Sequence, residues 1–238
     1  MLSPLAGRTV LVTGASRGIG QAIATVLAGA GGRLILLARD AGRLAALADS
    51  LGGGALPVAC DLGVASDVES AIARIGGAIG VPDVIVGNAG AFSIGLVGVM
   101  PAVEVSQMLD LNLLAPYRLL HAFVPGMRER SSGDVVTIGS IADRTTYPEN
   151  AAYAATKFGA RAMHQVLREE LRGSGVRASL ISPAPVDTHI WDPIRPETRA
   201  GYPTRDQMLR PEDVAEAVLW AITQPPHVNI DELRLSRA

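Results

Sequence analysis

The chain has 238 residues, 48% of them hydrophobic, which supplies one large core and excludes a disordered protein. Its 21 basic and 23 acidic side chains nearly cancel, and no dense basic run points to nucleic acid or to an acidic membrane surface as a partner. Cys60 is the single cysteine, so no intrachain disulfide is possible. The start does not read as a leader and no apolar stretch is long enough for a bilayer, so a cytoplasmic protein is expected.

Apolar, strand-like runs recur at residues 9–13, 33–38, 55–60, 83–86, 134–138 and 176–182, with a weak last one near 228–235. Runs that are apolar at successive positions suit a parallel sheet covered on both faces. Helical patterns lie between them. Residues 18–30 come first, then 41–51 with Asp40 as its N-cap, then 67–75 with Ser66 as its cap. The next, 109–130, contains Pro116, a candidate kink; 151–172 and 211–222 follow, the latter opening on proline and two acids. Strand and helix in alternation predict a doubly wound α/β sheet. Residues 183–210 are rich in Pro, Arg and Thr, lack a regular pattern and read as a substrate loop or lid.

The first strand runs into Thr13-Gly14-Ala15-Ser16-Arg17-Gly18-Ile19-Gly20 and then into a helix. Glycines there let the backbone turn sharply and approach a pyrophosphate, which the free N–H groups of the helix start would hold. Gly14, Ser16, Arg17, Gly18, Ile19 and Gly20 are therefore candidate cofactor contacts; the alternative is a tight turn with no ligand. The second strand ends at Ala38-Arg39, where an acid would favour NAD. Arg39 and Arg17 would instead welcome a 2′-phosphate, which points to NADP(H), unless both are ordinary surface charges. Asp40 could compete as a ribose acceptor, although a helix cap is its first reading.

Tyr153 and Lys157 are four apart in a strongly helical stretch and share one face. A phenol is a poor base, but a neighbouring ammonium favours the phenolate, so the pair can give or take a proton at a carbonyl oxygen. Ser140 follows the fifth strand at its carboxyl end, where open α/β sheets bind ligands, and could donate to that oxygen. Asn112 interrupts an apolar run close to Pro116 and could simply satisfy a kinked backbone.

Taken in order, the glycine spacing G-x-x-x-G-x-G, Asp61, Asn88-Ala89-Gly90, Asn112, Ser140, Tyr153 and Lys157 resemble the short-chain dehydrogenase/reductase family over essentially the whole chain. The resemblance implies a single Rossmann-like domain over residues 1–238, moving a hydride between nicotinamide and a carbonyl or alcohol carbon. It makes Tyr153 the general acid or base, Ser140 the group that orients the reacting oxygen, and Lys157 the holder of the nicotinamide ribose. Asn112 would hold a water of the proton relay. Asp61 and Leu62 would meet the adenine, Asn88, Ala89 and Gly90 would line the adenosine side, and Pro183, Val186 and Thr188 would meet the carboxamide and phosphate. It implies a homodimer or homotetramer through helices 109–130 and 151–172.

Ala184 departs from the glycine common in the family, and would be strained if the backbone there needs positive φ. His189 has no partner cluster for a metal. Few aromatics (Phe92, Tyr147, Trp191, Tyr202) are available for a substrate pocket, which hints at a small or aliphatic-lined site. The end of the chain resembles family reductases of small hydroxy acids and ketones. Two alternatives stand beside the reductase: a catalytically silent cofactor-binding regulator, and a nucleotide-sugar epimerase.

Overall fold

Strands β1 (Thr9–Thr13) and β2 (Arg33–Ala38) show why the runs are unbroken in hydrophobicity: Val10, Leu11 and Val12, and Leu34 through Leu37, are buried on both sides of the sheet. Val10, Val12, Leu34 and Leu36 pack toward α1 (Gly18–Gly29), α2 (Ala41–Leu51) and α7 (Pro211–Ile222). Leu11, Ile35 and Leu37 pack toward α3 (Ala65–Ala78) and α5 (Ala115–Glu129). The period-2 alternation of a strand thus feeds two cores at once. In this computed structural model residues 3–52 and 54–238 are described; the leader and single-domain readings include residues 1, 2 and 53, which lie outside them.

With β3 (Leu56–Ala59), β4 (Val84–Gly87), β5 (Gly133–Ile138), β6 (Val176–Pro183) and β7 (Glu232–Leu235), the sheet has seven strands in the order β3-β2-β1-β4-β5-β6-β7. Every pairing is parallel. From β1 the chain winds outward through β2 and β3, then returns to start the other half at β4. Helices leave β1 and β4 in opposite directions, so a crevice opens above their carboxyl ends.

Three expectations need correction. Ser66 does not cap α3; a turn closed by Val64 N–H on the Asp61 carbonyl (3.0 Å) brings the chain into the helix at Val64. The helix expected over 109–130 begins earlier, as α4 (Ala102–Leu109), and passes through a π-helical turn (Asp110–Leu114) into α5. Pro116 is the reason: it has no N–H for the Asn112 carbonyl, so the chain widens and Ala115 N–H bonds the Asp110 carbonyl instead. The last strand starts only at Glu232, because Asn229 pairs through its side chain, accepting from Ala178 N–H (2.9 Å) and donating to Ala178 carbonyl (3.1 Å). Asp40 does cap α2, accepting from Arg43 N–H at 2.9 Å.

At the opposite end of the sheet from the crevice, the buried Asp134 carboxylate is shared by Arg8 and by Arg177 Nε (2.7 Å). Arg177 also donates to the Ile222 carbonyl (2.9 Å) at the end of α7. This ties β1, β5 and β6 to α7. No helix is long and apolar enough to cross a membrane among the described residues.

His164, on helix α6 (Ala151–Glu170), is buried against β5, with Nδ1 2.9 Å from Thr137 Oγ1 and Nε2 unpartnered among the described residues. Burial, and then the charge of Arg168, push its pKa down to about 4; Asp231 and Glu232 oppose this without reversing it. The imidazole is therefore neutral in the native state. Below its ordinary value of about 6.5 the unfolded chain takes up a proton that the native state refuses, so stability falls until the pH nears the native value. Urea denaturation of wild type and His164→Leu at several pH values is expected to show that wild type loses about 3 kcal/mol more between pH ~7 and ~4. Parallel losses in the two proteins would refute the assignment.

Candidate active site

The crevice begins with a stitch between two strand ends. Thr13 Oγ1, at the end of β1, accepts from the backbone N–H groups of Asn88 and Ala89 (2.9 Å each), and Asn88 Nδ2 donates to the Thr13 carbonyl (2.9 Å). The chain then turns at Gly14, whose φ of +68° is a left-handed conformation suited to glycine. Helix α1 starts after Arg17 with no side chain capping it, which leaves its first N–H groups directed at the crevice mouth. Gly20 supports this from below: a Cβ there would overlap the Gly14 carbonyl and come within 2.6 Å of Asn88 Nδ2.

The cleft above has a volume of about 1090 Å³. Its floor takes Gly14, Ser16, Gly18 and Ile19, and one end takes Arg17, Arg39, Asp61 and Leu62. Asn88, Ala89 and Gly90 form one wall; Pro183, Val186 and Thr188 form another; Ser140, Tyr153 and Lys157 close the far end. Of the expected site residues, only Gly20 and Asn112 do not line it.

Arg43 also lines the Arg17–Arg39 end and was not among the expected contacts. It stands four after Arg39, on the first turn of α2, and that spacing was the available signal. Partial burial, then the charges of Arg43 and Arg39, draw the Arg17 guanidinium below its usual value. Arg43 is paired with Asp40 (3.3 Å) and Arg39 lies 3.9 Å from Asp61, so both acids near the ribose position are already engaged. An uncapped helix start beside three guanidiniums fits a phosphorylated dinucleotide. Cys60, at the same end, is a buried thiol pushed up to about 11 by burial and by the nearby Asp67 and Asp61.

At the far end, α6 presents Tyr153 and Lys157 on one face. Lys157 is buried, with Nζ donating to the Ile138 carbonyl (3.0 Å) and lying 5.7 Å from the centre of the Tyr153 ring. Ser140 Oγ accepts from Ala142 N–H at 3.1 Å. The Asn112 side chain is fully committed: Nδ2 donates to the Ala91 carbonyl (2.9 Å) and Thr156 Oγ1 (3.0 Å), and Oδ1 accepts from Ala91 N–H (2.8 Å). Its carbonyl is deprived of an α-helical donor by Pro116. Asn112, Pro116, Ile138 and Lys157 line a small cavity of about 30 Å³, room for one water molecule.

The segment 183–210 is pinned rather than loose. Val186 and Leu209 form a parallel bridge, Leu209 N–H bonds the Pro185 carbonyl (2.9 Å), and Arg205 binds Asp187 (2.8 Å) and Asp192 (2.6 Å). Short 3₁₀ turns fill it at His189–Trp191, Pro196–Thr198 and Arg205–Gln207. Ala184 is unstrained: positive φ at non-glycine residues occurs only at Ser131, Glu149 and Arg195 among the described residues, and Ala184 N–H bonds the Leu235 carbonyl (2.8 Å).

The few aromatics converge, contrary to the expected aliphatic lining. Phe92 meets Tyr153 edge-on (4.7 Å between ring centres) and Trp191 (5.2 Å), and Trp191 meets Tyr202 (6.3 Å). Tyr147 lines the same end. Burial, then the Arg17 charge, lowers the His189 pKa, so this imidazole beside the cleft is neutral. No group of three or more His, Cys, Asp or Glu side chains is arranged to hold a metal among the described residues.

Comparison with known proteins gives a consistent result. A family model described as short chain dehydrogenase matches residues 8–199. An uncharacterized oxidoreductase of Staphylococcus aureus (strain USA300) is 34% identical over 233 residues, 98% of each chain. A metagenomic short-chain oxidoreductase solved in complex with NADP is 33% identical, covers 99% of both chains and superposes with a TM-score of 0.85. An alcohol dehydrogenase from the archaeon Thermococcus sibiricus, complexed with 5-hydroxy-NADP, is 31% identical over 96% of this chain and 95% of its own, also at a TM-score of 0.85.

Gly20 offers a direct check on the floor of the cleft. Alanine normally favours a helix over glycine by about 1 kcal/mol, but here its methyl would push the glycine turn off α1. Gly20→Ala is expected to lower the melting temperature and to weaken binding of a nicotinamide dinucleotide at least about tenfold by isothermal calorimetry, as overpacking against backbone requires. A stabilised variant with wild-type binding would contradict the close approach.

Proposed function

The chain belongs to the short chain dehydrogenase family, and on that premise we propose that it is an NADP(H)-dependent oxidoreductase interconverting a ketone or aldehyde with an alcohol. The observation that carries this is the meeting of Ser140, Tyr153 and Lys157 at one end of a cleft whose other end is an uncapped helix start ringed by arginines. Bound there, the nicotinamide cofactor supplies the hydride-transfer chemistry.

The protein's own groups handle the proton and the oxygen. Tyr153 gives its hydroxyl proton to the carbonyl oxygen in reduction and takes it back in oxidation. Ser140 Oγ already accepts from Ala142 N–H, so its own proton is free to donate to the same oxygen as charge develops. Lys157 spends one proton on the Ile138 carbonyl and keeps the others for the ribose hydroxyls and the tyrosine side. A water in the small cavity would link the Asn112 carbonyl to Lys157 and pass protons outward.

Arg17, Arg39 and Arg43 favour the 2′-phosphate form. Asp40 supports this choice because its carboxylate is occupied by the α2 cap and by Arg43. Asp61 Oδ1 accepts from Gly63 N–H (2.9 Å), and Oδ2, held only loosely by Arg39 at 3.9 Å, is the oxygen that would meet the adenine. Around the reacting end, Phe92, Tyr147, Trp191 and Tyr202 line the wall; besides Lys157, which is hydrogen-bonded to the Ile138 carbonyl, Glu149 lies there and is paired with Arg199 (3.2 Å). That favours a neutral carbonyl over an acid. Exposed Leu114 and Tyr117 near and on α5, and Phe158 and Val166 on α6, are apolar faces that a second copy would cover; sedimentation as a monomer would remove that part of the reading.

Thermal-shift measurements with NADP⁺ and NAD⁺ at equal concentration test the cofactor. NADP⁺ is expected to give the larger shift, and Arg39→Ala or Arg43→Ala to weaken its binding about tenfold, the worth of a charge-assisted hydrogen bond. A larger shift with NAD⁺ would overturn the phosphate assignment. NADPH oxidation with methyl benzoylformate is expected to exceed that with benzoylformate, and Tyr153→Phe to lower kcat about 10²- to 10⁴-fold with NADP⁺ affinity unchanged. A Tyr153→Phe enzyme of normal rate would overturn the proton-transfer role.

A further inference from the structure

Ser140 is held by a buried carboxylate three residues further on, in a Ser-x-x-Asp capping box. Immediately after it the chain makes a 3₁₀ turn (Ile141–Asp143), and the Asp143 side chain is wholly buried behind that turn. Asp143 Oδ2 accepts from Ser182 Oγ on β6 and, at 3.4 Å, from the backbone N–H of Ser140. Its Oδ1 accepts from Arg144 Nε at 2.7 Å. The Arg144 guanidinium reaches on to Ser182 Oγ (3.2 Å) and pairs with Glu232 at the start of β7. Glu232 in turn lies 3.7 Å from Arg161, on the helix that carries Tyr153 and Lys157. The packing is tight enough that a Cβ on residue 139 would stand 2.6 Å from both Asp143 Oδ2 and Ser182 Oγ, so Gly139 is the residue that leaves room for the carboxylate.

A buried ion pair is poor value as a stabiliser, because desolvation offsets most of the Coulomb attraction and apolar groups of equal volume often serve as well. Its worth here is geometric. The Oγ position of Ser140 depends on where the backbone leaves β5, and Asp143 grips the Ser140 amide from one side while the 3₁₀ turn grips its hydroxyl from the other. We propose that Asp143 is a positioning residue for Ser140, and that Glu232, through Arg144, keeps Asp143 aligned. The strand that closes the sheet thereby sets the same hydroxyl that faces the substrate oxygen, and the same carboxylate references the helix bearing Tyr153. This rests on the reading of Ser140 as the donor to that oxygen.

Two measurements separate the proposal from that reading. In the first, hydrogen–deuterium exchange of the full chain is followed at residues 139–144 in wild type, Asp143→Asn and Glu232→Gln, the last two keeping side-chain volume. Exchange there is expected to quicken in both variants while the α1 and α6 amides keep their protection; unchanged exchange at 139–144 would overturn the positioning role whatever the activity. In the second, kcat for methyl benzoylformate with NADPH is measured in a double-mutant cycle. Asp143→Asn alone is expected to lower kcat about 10- to 100-fold, as loss of an orienting partner does, with KM and NADP⁺ affinity within about twofold. In a Ser140→Ala background the same substitution is expected to change kcat less than about threefold, since the group it positions is gone. A full Asp143→Asn loss persisting in that background would overturn the coupling. Ser140→Ala with undiminished turnover would overturn the reading of Ser140 itself and with it the catalytic consequence, even if exchange responds as expected.

Discussion

Everything in this molecule follows from the gap between the carboxyl ends of β1 and β4. Parallel strands buried on both faces must send their connecting helices over one face or the other, and at the point where the winding changes sides two neighbouring strands send their chains apart. The gap would be a defect in packing were it not stitched below by Thr13 and Asn88, whose side chains satisfy the backbone groups that the sheet ladder no longer can. With that floor secured, the glycine turn can lie flat on α1, and a cleft of about 1090 Å³ stands over it. The glycines, the arginines, the Tyr–Lys helix and the pinned segment are arrangements around this opening.

Charge is used in two ways. At the amino ends of the strands, Arg8 and Arg177 share the Asp134 carboxylate and donate their remaining N–H groups to carbonyls at the end of α7, so this cluster closes the sheet. At the carboxyl ends the basic side chains are in excess: Arg17, Arg39 and Arg43 crowd one mouth, with Asp40 and Asp61 engaging two of them in part. Such crowding is unfavourable alone and is relieved by an anion. Between the two lies the Asp143–Arg144–Glu232 chain, buried beside the reacting end, where its cost in desolvation is matched by control over one hydroxyl.

The reacting end joins rigid parts to a pinned one. Lys157 and Ser140 are set by a helix and a strand end, and their hydrogen bonds to Ile138 and Ala142 leave protons free toward the cleft. The segment that covers them has little regular structure, yet it is held by the Val186–Leu209 bridge and by the fork of Arg205. Its Trp191 completes an aromatic row through Phe92 to the ring of Tyr153. The wall of the substrate end is therefore built from loop residues that are fixed by hydrogen bonds, while the proton-handling groups come from the sheet and its helices.

Much of this was legible in the chain alone, because it rests on contacts between near neighbours. Period-2 hydrophobic runs told of a sheet covered on both faces, the glycine spacing told of a turn against a helix start, and the four-residue step from Tyr153 to Lys157 told of one shared face. Asp40 as a helix cap was equally local. What could not be read depends on residues far apart in sequence. Asp143 meets Glu232 only because β7 returns to pair with β6; few aromatics became an aromatic wall only because separate loops bring Phe92, Trp191 and Tyr202 together. Pro116 announced an interruption, but whether the helix would kink or widen into a π turn was decided by the packing that claims the Asn112 side chain for Ala91 and Thr156. The sequence by itself determined most of the elements, the doubly wound class of the sheet, the glycine turn and the shared face of Tyr153 and Lys157, since these follow from periodicity and turn geometry, while the family resemblance implied the rest of the residues around the cleft. Only the tertiary structure decided which buried polar groups far apart in the chain satisfy one another, because such a partner is chosen by distance in space and leaves no spacing in the chain.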